Sequence, residues 1–177
     1  MFKVPLCLIP LLAIAVPVIA MAAHTDGQPA VSGQGEKLTA PPPAEVRAVS
    51  TDAAPRLEGQ SQAVIAGGFL FISGQLPRRP VTGEIVGGVT EAATERVIDN
   101  LEAILRAAGL NLADVVKTTV FLTSGREFAG MDAVYRRRFG NHRPARTVVV
   151  VDSVGCDCIL EMEAVAKTRD AEEAAAR

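Results

Sequence analysis

The stretch from His142 to Val151 reads HRPARTVVVV, and it limits the possible folds more than any other part of the chain. A run of valines suits a strand and has no polar side, so the strand calls for apolar cover on both faces. Helices can cover one face of a sheet. Self-association through the second face is the simple way to cover the other. Pro144 restricts Ala145 to an extended conformation and so helps aim Arg146 at the mouth of the strand. A guanidinium held there is either an ion-pair partner within the scaffold or a grip for a small anion.

The neighbouring sequence supplies the other layers. AVIAGGFLFISGQ holds two apolar runs split by Gly67 and Gly68, which predicts a hairpin, because paired glycines reach the positive φ angles of a tight turn. LPRRPVTGEIVGG reads as a loop, punctuated at Pro80, Thr82 and Gly83. VTEAATERVIDNLEAILRAAGL predicts a helix with Thr90 as N-cap, Glu91 in the first turn and Gly109 beyond the end. Val97, Leu101, Ile104, Leu105 and Ala108 form its apolar stripe. DVVKTTVFLTS is a β-branched strand. REFAGMDAVYRRRFG predicts a second helix, with Phe128, Met131, Tyr135 and Phe139 inward, Arg136, Arg137 and Arg138 on a solvated face, and Gly140 as its stop. RTVVVV and CILEMEAVA are two further strands, and Val46 to Ser50 offers an earlier one. The order β-β-α-β-α-β-β predicts an α+β domain with its helices on one sheet face.

At 177 residues, the chain fits one domain with extensions. Its 49% hydrophobic content with no Trp implies an aliphatic core, and a net charge of −2 argues against a nucleic-acid partner. MFKVPLCLIPLLAIAVPVIAMAA has the form of a secretory signal peptide over residues 1–22, with Lys3 ahead of the apolar run and a cut after Ala22. An uncleaved anchor is the rival reading, but Pro5, Pro10 and Pro17 interrupt the run. The expected product is periplasmic or secreted, without stable membrane association after cleavage. Residues 23–45 form a Pro/Ala/Gly-rich tether, 46–167 the folded domain and 168–177 a tail. Cys156 and Cys158 stand two apart on the expected strand, roughly 6.6 Å between Cα atoms, near the outer limit for a disulfide. They are expected as two small buried hydrophobes. With His24 and His142 as the available imidazoles, no metal site is expected.

Taken together, FLFISGQLP, TGEIVGG, NLEAILRAAGLNLADVVKTTVFLT, FAGMDAVYRRRFG, PARTVVVV and LEMEAVA resemble the RidA family of reactive-intermediate deaminases, from about Ser61 to Lys167. The resemblance implies a chorismate-mutase-like (RidA-like) single domain, a mixed sheet with two helices packed on one face, and a homotrimer with clefts between subunits. It further implies hydrolysis of small 2-imino acids, of the 2-iminobutyrate and 2-iminopropionate type, to 2-oxo acids and ammonia, with no cofactor or metal. By the same resemblance Arg146 holds the substrate carboxylate, Glu161 lies near the imine and the attacking water, and Ser73, Gly74 and Gln75 line the pocket. Three positions depart from the family pattern: Gln60 where an aromatic is usual, Val148 where Cys is common, and Asp132 where Asn is frequent.

The chemistry fits these residue types. Arg146 offers a planar fork of donors to a planar carboxylate, which a lysine cannot orient. Glu161 can act as general base for the water or pass a proton to the departing amine. Glu161 and Glu163 share one face of their strand, and a buried carboxylate there needs a partner, for which Arg146 is a candidate. Ser73 has no matched His base, so a serine-hydrolase reading fails. The competing function is a non-catalytic trimer that binds small carboxylates or a protein partner.

Overall fold

The computed structural model describes residues 45–169. The expected signal peptide, the tether up to residue 44 and the tail from residue 170 lie outside the described residues. Six strands and two helices follow in the order β1 (Arg47–Val49), β2 (Ala63–Ala66), β3 (Phe69–Gln75), α1 (Thr90–Ala107), β4 (Val115–Leu122), α2 (Phe128–Phe139), β5 (Ala145–Val150) and β6 (Leu160–Lys167). They form one mixed sheet in the spatial order β1-β2-β3-β6-β4-β5. β4 and β5 are parallel, joined by α2, and all other neighbours are antiparallel.

The β2–β3 hairpin turns at Gly67 and Gly68, with φ of 56° and 80°, the positive angles the glycine pair was expected to supply. On β6 Leu160, Met162, Ala164 and Ala166 are buried, and Thr118, Val120 and Leu122 of β4 lie beside them in register. These side chains meet α1 through Val97, Ile98, Leu101, Ile104 and Leu105, all fully buried. Burying each such aliphatic side chain stabilises the fold by about 1.5–3 kcal/mol, and the 3.6-residue spacing of the stripe is why this segment is a helix. Both helices occupy that one face. The alternate residues, among them Phe69, Phe71, Val149, Glu161 and Glu163, turn to the face without helices.

Several expectations are corrected here. The N-cap of α1 is Val89, and Thr90 is the first helical residue, its hydroxyl donating instead to the Glu127 carboxylate. Phe128 begins α2 and is exposed rather than inward. Within one chain β5 is an edge strand, and its Val149 and Val150 remain 38% and 58% exposed. Among the described residues the valine run does not receive two-sided cover, which was expected to need self-association. β6 starts at Leu160, so Cys156 and Cys158 lie on a bent loop. Their Cα atoms approach to 5.2 Å, closer than on an extended strand, and the two sulfurs form a disulfide. No helix among the described residues is long and apolar enough to cross a membrane.

Arg138 departs most from expectation. While Arg136 and Arg137 project into solvent, the Arg138 side chain is 19% exposed and joins α2 to α1. It contacts the Glu95 carboxylate, Asp99 at 2.9 Å and Glu102 at 3.2 Å. Burial opposes the charged form of Glu95, but hydrogen bonds from Arg138 and Arg137 and the charge of both outweigh it, so its carboxyl titrates below 4.5. Depression of the folded-state value means the contribution is present above pH 4.5 and fades as pH falls through the lowered value. Arg138→Ala should destabilise the fold by about 1–3 kcal/mol at pH 7, since three carboxylates lose a shared donor. Urea unfolding at pH 7 and pH 3 checks this, with a smaller difference between the two proteins at pH 3.

Candidate functional site

Arg146 sits on β5 opposite Thr118 of β4. Directly paired residues share a sheet face, so its side chain lies on the helix side, where Thr118 is buried. Phe128, Asp132, Tyr135 and Arg136 are spaced i, i+4, i+7 and i+8 along α2 and form the helix face that meets it. The Arg146 guanidinium lies 4.5 Å from the Tyr135 ring centroid and 6.0 Å from that of Phe128, a cation–π arrangement. The Tyr135 hydroxyl is 2.8 Å from Thr118 Oγ1. Burial raises the Tyr135 phenol above 10.0, moderated by the Thr118 hydrogen bond and the Arg146 charge, so it stays neutral.

Arg146 Nη2 donates to Asp132 Oδ1 at 2.7 Å, and Asp132 Oδ2 lies 2.9 Å from Arg136 Nε. The counter-ion of Arg146 is thus Asp132, not Glu161. Arg146 Nη1 is buried and has no hydrogen-bond partner among the described residues. Leaving such a donor unpaired costs about 1–3 kcal/mol, so the position suits an incoming acceptor.

Glu161 occupies the other side of the sheet. It pairs with Phe121 of β4, three residues from Thr118, and three steps along a strand reverse the face. Of Ser73, Gly74 and Gln75, it is Gly74 that lies against Glu161. The β3–β6 register shifts between Ile72 and Gln75, a bulge that places Gly74 against the carboxylate. A Cβ on residue 74 would stand 1.6 Å from Glu161 Oε1, so only glycine allows this approach. The Ser73 hydroxyl donates to Ser61 O at 2.8 Å, and buried Gln75 donates through Nε2 to Ser73 O at 2.9 Å. These two side chains hold the bulge in shape. A small recess alongside is bounded by Gly74, Gln75, Leu57 and Gln60, the residue standing where an aromatic was expected.

The structure therefore places the expected residues on opposite faces: Arg146 beside Asp132 and Tyr135, and Glu161 against Gly74 of the β3 bulge. Reasoning from sequence assigned Tyr135 to the core and missed it as the platform under Arg146. The signal was present in the spacing of Phe128, Asp132 and Tyr135 on α2, read only as amphipathicity.

The endoribonuclease L-PSP family model matches residues 51–168. A RutC family protein of Pyrococcus abyssi is 47% identical over 119 residues, covering 67% of this chain and 94% of that protein. The 2-iminobutanoate/2-iminopropanoate deaminase of Escherichia coli is 39% identical over 127 residues, covering 70% of this chain and 98% of its own. Among solved structures, RidA from an Antarctic Psychrobacter superposes with a TM-score of 0.66 at 38% identity, covering 68% of this chain and 98% of that one. Escherichia coli TdcF with bound serine gives 0.65 at 36% identity, with the same coverage of 68% and 98%.

Glu161 is raised above 4.5, first by burial and then by the charge of Glu163. Glu163→Gln removes the second cause and leaves the first. Carbon-13 NMR titration should place the Glu161 carboxyl above 4.5 in the wild type and lower, though still raised, in the variant.

Proposed function

Because the chain belongs to the endoribonuclease L-PSP family, alongside the RutC and RidA proteins, we propose that it hydrolyses small 2-imino acids to 2-oxo acids and ammonia in a homotrimer. Arg146 of one subunit and Glu161 of a neighbour complete each site. The observation that carries this reading is the buried, unpartnered Nη1 of Arg146 above an aromatic platform. It is a donor suited to the α-carboxylate that every 2-imino acid presents. The serine in TdcF carries the same group.

Composite sites follow from the opposed faces of Arg146 and Glu161. They also agree with the exposed Phe69, Phe71 and Val149 on the helix-free face, which association would bury. With the substrate carboxylate held, a water near Glu161 adds to the imine carbon while Glu161 takes its proton and passes it to the imine nitrogen, giving the carbinolamine. Glu161 then carries the carbinolamine hydroxyl proton to the amine as the C–N bond breaks, so ammonia leaves and the oxo acid remains. Burial moves Glu161 toward the operating pH, where a general base is more effective. No cofactor or metal enters this scheme. Export to the periplasm or beyond is part of the proposal, supported by the Cys156–Cys158 disulfide, a bond that persists in oxidising compartments. A non-catalytic trimer that binds small carboxylates or a protein is the competing reading, and the Asp132 contact on Arg146 is the observation in its favour.

The test is to generate 2-iminopropionate in situ and follow pyruvate release. Arg146→Ala and Glu161→Gln should each lower kcat/KM about a hundredfold or more, with the trimer intact by light scattering. Trimers mixed from the two variants should regain activity, since some of their interfaces carry both native residues. Wild type indistinguishable from the uncatalysed rate would overturn hydrolysis and favour the binding reading.

A further inference from the structure

A cavity of about 480 Å³ opens beside Arg146 on the helix side, and Arg136, Arg143, Arg146 and His142 line it over the rings of Tyr135 and Phe139. Among the described residues no acidic one lines it. Asp132, outside the lining, engages two of these arginines, Arg146 through Oδ1 and Arg136 through Oδ2. That leaves Arg143 as the third guanidinium at the cavity. Among the described residues Arg143 has no hydrogen-bond or ion-pair partner. Its backbone is nonetheless anchored. On one side the His142 ring lies with Nε2 2.6 Å from Val115 O, and on the other Pro144 stiffens the chain. Arg143 precedes β5, and it lines the same cavity as Arg146, so the two side chains can converge there on one small molecule.

We propose that the preferred substrate is a dicarboxylate, the 2-imino acid of an acidic amino acid, with its α-carboxylate on Arg146 Nη1 and its distal carboxylate on Arg143. This rests on the imine-hydrolase reading and adds the substrate class to it. Arg143 acts as the specificity-determining residue. The aromatic floor accepts the short methylene chain between the two acid groups. Being exposed, Arg143 contributes a modest, salt-screened preference of about five- to tenfold at low ionic strength.

Calorimetric titration of the trimer with the product analogues 2-oxoglutarate and 2-oxobutyrate at low salt tests this directly. The wild type should bind the dicarboxylate about five- to tenfold more tightly, and Arg143→Gln should bring the ratio of the two affinities toward one. Equal affinities in the wild type, or a preference that survives Arg143→Gln, would overturn the inference. A parallel assay measures ammonia release from 2-iminoglutarate and 2-iminopropionate generated in situ. If both react at the uncatalysed rate, hydrolysis fails, while the calorimetric ratio still decides whether the cavity selects dicarboxylates.

Discussion

Along β6 successive side chains turn to opposite sides of the sheet, and that alternation decides where all the chemistry of this molecule can sit. Leu160, Met162, Ala164 and Ala166 go under the helices and make the core. Glu161 and Glu163 are thereby forced onto the face that no helix covers. A one-residue slip of register would bury both carboxylates among Ile98, Leu101 and Leu105, at a prohibitive desolvation cost. The apolar pattern of the core thus fixes the position of Glu161 as firmly as any contact Glu161 itself makes. On β5 the same period sends Arg146 the other way, into contact with α2.

This separation gives the fold a reason to associate. A half-site holding a cation and a half-site holding a carboxylate gain nothing from each other within one chain. Between copies, each can meet its complement. The apolar groups left on the bare face, Phe69 and Phe71 in β3 and Val149 in β5, supply a non-directional drive for such contact. The half-buried Glu161 gives a second, electrostatic reason. Its carboxyl is raised by burial beside Glu163, and a donor brought up from a neighbouring copy would relieve that cost.

Much of this was legible in the sequence, for identifiable reasons. The α1 stripe, the Gly67–Gly68 turn and the alternation in β6 are local patterns with one physical solution, and they appear where periodicity places them. Residues whose role depends on a partner far along the chain were misread. Arg138 sits in a run of three arginines that looks uniformly solvated, and only the crossing of α2 over α1 brings it to Glu95 and Asp99. Cys156 and Cys158 were judged by strand geometry, but the bend of their loop shortens the distance that decides pairing. The candidate pairing of Arg146 with Glu161 failed for a similar reason. Parity places each residue on a face of its own strand, but only the β4 register relates the two strands. Asp132 was read only as a departure from the family pattern, without the two guanidiniums that pair with it.

The Asp132 contact does not disable Arg146, because of the shape of the guanidinium. Its donors point outward in a plane from separate nitrogens, so one edge can hold a carboxylate while another stays free. Here Nη2 engages Asp132, the guanidinium lies over the ring of Tyr135, and Nη1 has no partner among the described residues. The first two contacts remove most of the side chain's freedom before any ligand arrives, which lowers the entropy lost on binding. A lysine in this position would bring one nitrogen to the same point, and Asp132 would neutralise it. An arginine can be held by the scaffold and still receive an acid. The two roles that seemed to compete for this residue are therefore compatible, provided the ligand approaches the edge that Asp132 leaves open.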